Sequence, residues 1–270
     1  MLNALTVDVE EHYHLCGLHQ ELPVEQLERT RSLVVAQTER LLDLLRRKQV
    51  NATFFVLGLV AERHPALVRR IVEEGHEVAS HGFGHEMIYR QTPEVFEEDV
   101  KRSLRQLAAM TRQPIIGYRA PSFSITRQSL WALPVLARLG FRYDCSVFPI
   151  HNPRYGIPDA PRTPHPRDGL VEFPPSTVRV GPLNFPVAGG AYFRLLPFGV
   201  IRKAFRTLNA RGIPGQFYIH PWELDDSIPR LPIPWHRALT HYTNLRGTSQ
   251  RLERLLEELA FGTVRQVLGL

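Results

Sequence analysis

Short apolar runs alternate along this chain with stretches whose apolar residues recur at helical spacing, and this alternation most limits what it can fold into. The runs 5–7, 52–57, 77–80, 115–118, 141–146, 170–173, 176–180 and 216–219 predict strands. Between them, 32–47 carries Leu33, Ala36, Leu41, Leu44 and Leu45 near helical spacing. The stretch 65–74 reads as a helix stopped by Gly75. Thr92-Pro93 pairs a capping residue with proline at the first helical position, which predicts a helix to about Met110. Further helices are predicted over 126–139, closed by Gly140, over 198–211, and over 252–259. Buried strands joined by helices argue for a parallel sheet with helices outside it. Seven or so such units suit a closed or nearly closed barrel, in which chemistry gathers at the C-terminal ends of the strands.

Composition narrows this further. A chain of 270 residues with 43% hydrophobic content can build a sizeable core and is not disordered. The net charge of +6 comes from arginines spread among acidic residues, as on an ordinary solvated surface. No Lys/Arg block or nucleic-acid motif accompanies it, so no nucleic-acid partner is expected. The Pro-rich segment 149–167 reads as a long loop rather than a domain boundary. Cys16 and Cys145 belong to no CxxC pair and read as two buried small residues, not a disulfide framework. The first residues, MLNALTVDVEEHYH, show neither a basic nor an apolar targeting region, and no apolar run approaches the ~20 residues of a membrane helix. The expectation is a soluble, cytoplasmic chain.

Four groups can carry chemistry, each at a predicted strand end. Asp8 and Glu10 fall on the same side of the first strand, with Val9 opposite. Two carboxylates there are costly unless paired, hydrated or bound to a metal. In Ser80-His81-Gly82-Phe83-Gly84-His85, two imidazoles flank a glycine-containing turn, and imidazole is a common ligand of zinc and similar ions. One carboxylate can join them in a metal site with open positions for water, leaving the other beside that water as a base. His12 and His14 read as loop residues around such a site rather than as ligands. Arg119 follows the strand 115–118, where a guanidinium can orient Asp8. His220 ends the strand 216–219 and can protonate a leaving group near neutral pH. Asp144, near the end of 141–146, is a further polar group whose role stays open.

The stretches TVDVEEHYH, SHGFGH, GYRAPSF, YDCSVFP, GGAYFRLLP, FYIHPWELD and HYTNLRGTSQRLERLL together resemble the polysaccharide deacetylase family, also called the NodB-homology domain or carbohydrate esterase family 4. They are similar in particular to a subgroup found with exopolysaccharide and protein-sorting gene clusters. The resemblance covers nearly the whole chain. It implies a single domain over 1–270, a distorted (β/α) barrel of about seven strands, with 221–270 as a C-terminal extension packed on it. It also implies His81 and His85 as metal ligands, Asp8 as catalytic base, Arg119 as its orienting partner and His220 as general acid. A backbone N–H near Phe123 would stabilise the oxyanion. Many family members carry adjacent aspartates in the first motif. Here Val9 follows Asp8, which makes Glu10 the metal carboxylate. The implied cofactor is a divalent metal, zinc first, with cobalt or another divalent ion as alternatives. The implied substrate is an N-acetylated amino sugar of a polysaccharide or its lipid-linked precursor, with acetate released. Tyr118, Phe123, Tyr192, Phe193 and Trp222 are candidates to line a sugar groove, Trp222 and Phe123 above the others. Competing readings are an amidase acting on a small allantoin-like amide and a carbohydrate-binding pseudoenzyme.

Overall fold

A computed structural model describes residues 1–14, 30–152 and 154–270; Cys16 lies outside them. In chain order the strands are β1 (Asn3–Val9), β2 (Thr53–Val56), β3 (Glu77–Ser80), β4 (Gly117–Tyr118), β5 (Tyr143–Asp144), β6 (His165–Arg167), β7 (Leu170–Glu172), β8 (Thr177–Val180), β9 (Leu183–Pro186), β10 (Gln216–Ile219) and β11 (Phe261–Gly262). The main sheet runs β10-β1-β2-β3-β4-β5-β7-β6, and β11 also pairs with β1. From β10 to β7 every pairing is parallel; only β6 turns back antiparallel. β8 and β9 form a separate hairpin.

The fold is thus an α/β curled sheet whose parallel path has seven strands, as the sequence predicts. The gap between its ends is bridged by single contacts rather than a ladder. The Ser176 N–H donates to the Gln216 carbonyl at 3.2 Å, and the Gln216 side-chain amide donates to the Phe173 carbonyl at 2.5 Å. Apolar residues of β1 and β2 pack with those of the helices Val34–Lys48, Pro65–Glu73 and Phe198–Ala210 in the largest core cluster. No helix among the described residues is long and apolar enough to cross a membrane.

Most predicted elements appear within a few residues of their expected bounds. The helix Pro93–Ala108 starts as expected, with Thr92 Oγ1 accepting from the Val95 N–H. The stretch 126–139 does not form one helix. It splits into a 3-10 turn, Arg127–Ser129, and the helix Ala132–Arg138. Pro134 has no N–H to give to residue 130, which disfavours a continuous helix, and the proline sits instead in the first turn of the helix Ala132–Arg138. The stretch 176–180 contributes no strand to the parallel sheet; β8 pairs with β9 instead. Cys145 is buried, as expected. Among the elements not anticipated are the helix Trp235–Tyr242 and β11, both in the C-terminal segment.

Candidate active site

β1 delivers Asp8 and Glu10 to one pocket, while Val9 points the opposite way into the core. The pocket has a volume of about 220 Å3 and also receives His81, Ser122, Phe123 and His220. β3 ends at Ser80, and the loop beyond it carries both imidazoles. The turn that brings them together uses left-handed backbone at Gly82 (φ +75°) and at His85 itself (φ +62°). Asp99, on the helix Pro93–Ala108, pins this loop by accepting from the N–H groups of Phe83 (2.8 Å) and Gly84 (3.4 Å). Sequence reasoning missed Asp99, because no local pattern separates it from the other acidic residues of that helix.

Glu10, His81 and His85 converge, with one potential ligand atom from each within 4.8 Å of the others. Glu10 Oε2 lies 2.7 Å from His85 Nε2 and 3.7 Å from His81 Nε2. All three residues are buried. Burial raises the Glu10 pKa, but the neighbouring His85, His81 and His220 outweigh it and hold the carboxyl well below its usual range. His81 Nδ1 is 2.9 Å from the Arg119 carbonyl, which can only accept. A proton on Nδ1 satisfies that carbonyl and leaves Nε2, on the Glu10 side, as the atom to offer a metal. A metal-binding histidine is oriented in this way by its second nitrogen. A carboxylate oxygen and two imidazole nitrogens brought this close fit a borderline divalent cation such as zinc. His14 does not join the set; its ring stacks on His85 at 5.0 Å. Glu11 turns away as well, accepting from the Leu33 N–H (3.1 Å) and the Ser32 hydroxyl at the start of the helix Val34–Lys48.

Arg119 is fully buried, and each of its three nitrogens donates, Nε to the Cys145 carbonyl at 3.4 Å. Nη1 donates to Asp8 Oδ1 at 2.6 Å and to Thr6 Oγ1 at 2.9 Å, and Nη2 donates to Gln216 Oε1 at 2.6 Å. The sheet places these partners on neighbouring strands, since β1 pairs with β10. Asp144 does not line the pocket. It accepts from the Ser146 hydroxyl at 2.6 Å, and that hydroxyl accepts from the Ala120 N–H at 2.7 Å, so it props the backbone next to Arg119. Burial pushes the pKa of Asp144 and of the adjacent Glu172 upward, and Glu172 farther because the charge of Asp144 lies beside it.

His220 faces the two carboxylates from β10, with Nε2 3.6 Å from Glu10 Oε1 and 3.9 Å from Asp8 Oδ2. Its Nδ1 is 2.7 Å from Glu223 Oε1. Burial disfavours the charged ring, yet the hydrogen bond to Glu223 and the nearby carboxylates raise its pKa above the ordinary histidine value. Trp222 stacks against His220 at 5.3 Å and is only 1% exposed. Phe123, Tyr192 and Trp222 contribute to the pocket lining. Tyr118 and Phe193 do not: both are fully buried in apolar clusters, where a large aromatic side chain contributes most to the core. Phe123 and Ser122 both adopt left-handed backbone, and the Phe123 N–H donates to the Ala120 carbonyl at 3.0 Å.

A curled parallel sheet with carboxylates and histidines gathered at its carboxyl rim defines an α/β barrel-like fold with a candidate metal site. A model of the family described as "Polysaccharide deacetylase" matches residues 30–143, and one described as a domain of unknown function (DUF3473) matches 145–269. The chain thus carries a polysaccharide deacetylase domain followed by a DUF3473 domain. A peptidoglycan-N-acetylglucosamine deacetylase of Bacillus cereus is 32% identical over 84 residues, which is 31% of this chain and 39% of that protein. A chitooligosaccharide deacetylase of Rhizobium leguminosarum is 32% identical over 114 residues, 42% of this chain and 49% of that one. The chain thus spans less than half the length of each of these relatives. The crystal structure of a putative polysaccharide deacetylase from Mycobacterium smegmatis shares the fold, with a TM-score of 0.66 and 20% identity over 99% of this chain and 88% of that one.

Proposed function

We propose that this chain is a metal-dependent N-deacetylase of N-acetylated amino sugars, releasing acetate and a free amine. The observation that carries this reading is the meeting, in one pocket, of a Glu10–His81–His85 cluster, an Asp8 carboxylate tied to Arg119, and His220. The matched family and the names of the two relatives point to the same substrate class, an acetylated glucosamine. The whole chain, 1–270, is read as one working unit, since β11 from the C-terminal segment pairs with the start of β1, the strand whose far end carries the site.

A divalent cation held by Glu10, His81 and His85, zinc by preference and cobalt or another divalent ion as alternatives, would supply an acidified water and polarise the acetamide carbonyl. Asp8 takes a proton from water as the water oxygen bonds to the acetamide carbon. Arg119 holds that carboxylate in place through its 2.6 Å hydrogen bond. The carbonyl electron pair moves to oxygen, toward the backbone at Ser122 and Phe123. The N–H of Phe123 is engaged with Ala120, so that of Ser122, whose residue lines the pocket, is the better placed donor. Collapse breaks the C–N bond, the pair leaves with nitrogen, and His220 protonates it. Phe123 and Trp222 are the proposed aromatic contacts to the sugar.

Acetate release from a panel of N-acetylated glucosamine oligomers, a lipid-linked sugar intermediate and small cyclic amides, with Asp8→Asn as control, tests this. Release from the sugars alone, absent in Asp8→Asn, is the expected result. Turnover confined to the cyclic amides would reassign the enzyme to a small-amide amidase. Metal binding with no turnover of any of them would make it a carbohydrate-binding relative.

A further inference from the structure

The face of the His220 ring turned away from Asp8 and Glu10 is held by a chain of contacts that ends in the C-terminal segment. Glu223 Oε1 sits 2.7 Å from His220 Nδ1 and also accepts from the His220 backbone N–H at 3.1 Å. The other oxygen of Glu223 accepts from Arg194 Nε at 2.7 Å. Arg194 is 1% exposed, and its remaining nitrogens donate to backbone carbonyls: Nη1 to His241 (3.2 Å) and Thr243 (2.7 Å), Nη2 to Thr240 (2.8 Å). The Arg194 carbonyl in turn accepts from the Asn244 side chain at 2.9 Å. Residues 240–244 lie at the end of, and just beyond, the helix Trp235–Tyr242, outside every strand of the sheet.

We propose that Glu223 and Arg194 are positioning residues for the proton donor, and that the backbone at 240–244 sets the aim of His220 through them. The inference rests on the deacetylase reading and deepens it. A carboxylate on Nδ1 fixes the tautomer and the ring plane, so that the proton on Nε2 points at the departing nitrogen. Without that carboxylate the ring can turn about its Cβ–Cγ bond, and Nε2 loses its line to the leaving group. Arg194 compensates the buried charge of Glu223 and, with a rigid planar fork, holds both of its own ends. A lysine at 194 reaches one partner as a point charge and cannot span Glu223 and three carbonyls. The DUF3473 half thereby acquires a role in the chemistry, since it supplies His220 and also builds the clamp that orients it.

The step at issue is proton delivery to the nitrogen as it takes the C–N bonding pair, so the test is dependence on the leaving group. An amine needs the proton; 4-nitrophenolate leaves without one. The metal-loaded full chain is assayed on acetylated glucosamine oligomers and on 4-nitrophenyl acetate, as wild type, Glu223→Gln, Arg194→Lys and His220→Ala. The expected result is a fall in kcat of about 100-fold on the oligomers for Glu223→Gln and His220→Ala. Arg194→Lys falls less, KM changes little, and the aryl ester rates of Glu223→Gln and Arg194→Lys stay near wild type. Arg194→Ala with added guanidinium regains part of its oligomer activity. Equal losses on both substrates, or no loss on the oligomers, overturn the proposal. A wild-type protein that hydrolyses the aryl ester but releases no acetate from any acetylated sugar overturns the deacetylase reading itself, and this proposal with it, which is a distinct outcome.

Discussion

Arg119 Nη1 lies 2.6 Å from Asp8 Oδ1, with both side chains buried, so the proposed base in the pocket wall is ion-paired to a partner behind it. Removing one member of such a pair leaves the other charge without compensation, which costs about 3–5 kcal/mol. Arg119→Met is therefore expected to lower stability by about that amount in urea unfolding. Asp8→Asn also leaves the buried Arg119 charge without its counter-ion, so it is expected to lose stability as well, and to lose acetate release by a factor of about 100 to 10,000.

The Glu10–His81–His85 cluster leads to a stability prediction that needs no substrate. A ligand that binds only the folded chain stabilises it by mass action, by about 2.7 kcal/mol at a free concentration 100 times its Kd. Added zinc should raise the melting temperature of the wild type, and a chelator should reverse the rise. His81→Ala and His85→Ala should show little of either response, and elemental analysis should find them depleted of metal.

His241 predicts an acid-side effect. Burial lowers its pKa from 6.5 to about 3, and neither ring nitrogen has a hydrogen-bond partner. Below pH 6.5 the unfolded chain binds a proton that the folded chain refuses until about pH 3. This contribution to stability is therefore intact above pH 6.5 and declines as the pH falls. Phenylalanine fills the same space without the unpaired nitrogens. His241→Phe should be at least as stable as wild type at pH 7 and about 2 kcal/mol more favoured at pH 5 than at pH 7, read as the shift in thermal unfolding.

Phe123 packs edge-on against Phe148 and Tyr218 while lining the pocket. Phe123→Leu keeps an apolar side chain in that cluster and removes the aromatic face offered to a sugar. The expected change is a rise in KM for acetylated oligomers of about two- to tenfold, matching the loss of one aromatic contact, with kcat less affected.

The sequence made the site legible where local rules govern it. Alternation along a strand places Asp8 and Glu10 together whatever the rest of the fold does, and a glycine-containing turn after β3 brings His81 close to His85. Arg119 and His220 follow from the same rule that strand ends meet at one rim. The Glu223–Arg194–backbone clamp was not legible, because it joins residues 29 to 50 positions apart, mostly through carbonyls, which carry no residue identity. β11 and the closing contacts of Ser176 and Gln216 were hidden for a related reason: two-residue strands and single hydrogen bonds leave no periodic pattern. The split of 126–139 was available in principle, since Pro134 sits inside the apolar period, but the amphipathic spacing outweighs a single residue when the stretch is read as one helix.

The most direct test of the central claim is a titration of metal-stripped protein with zinc while acetate release from N-acetylated glucosamine oligomers is followed. The account predicts activity that rises in proportion to metal, saturates at one equivalent per chain, and does not appear in the His81→Ala/His85→Ala double variant. Full activity in the stripped wild type, or equal activity in the double variant, would contradict it.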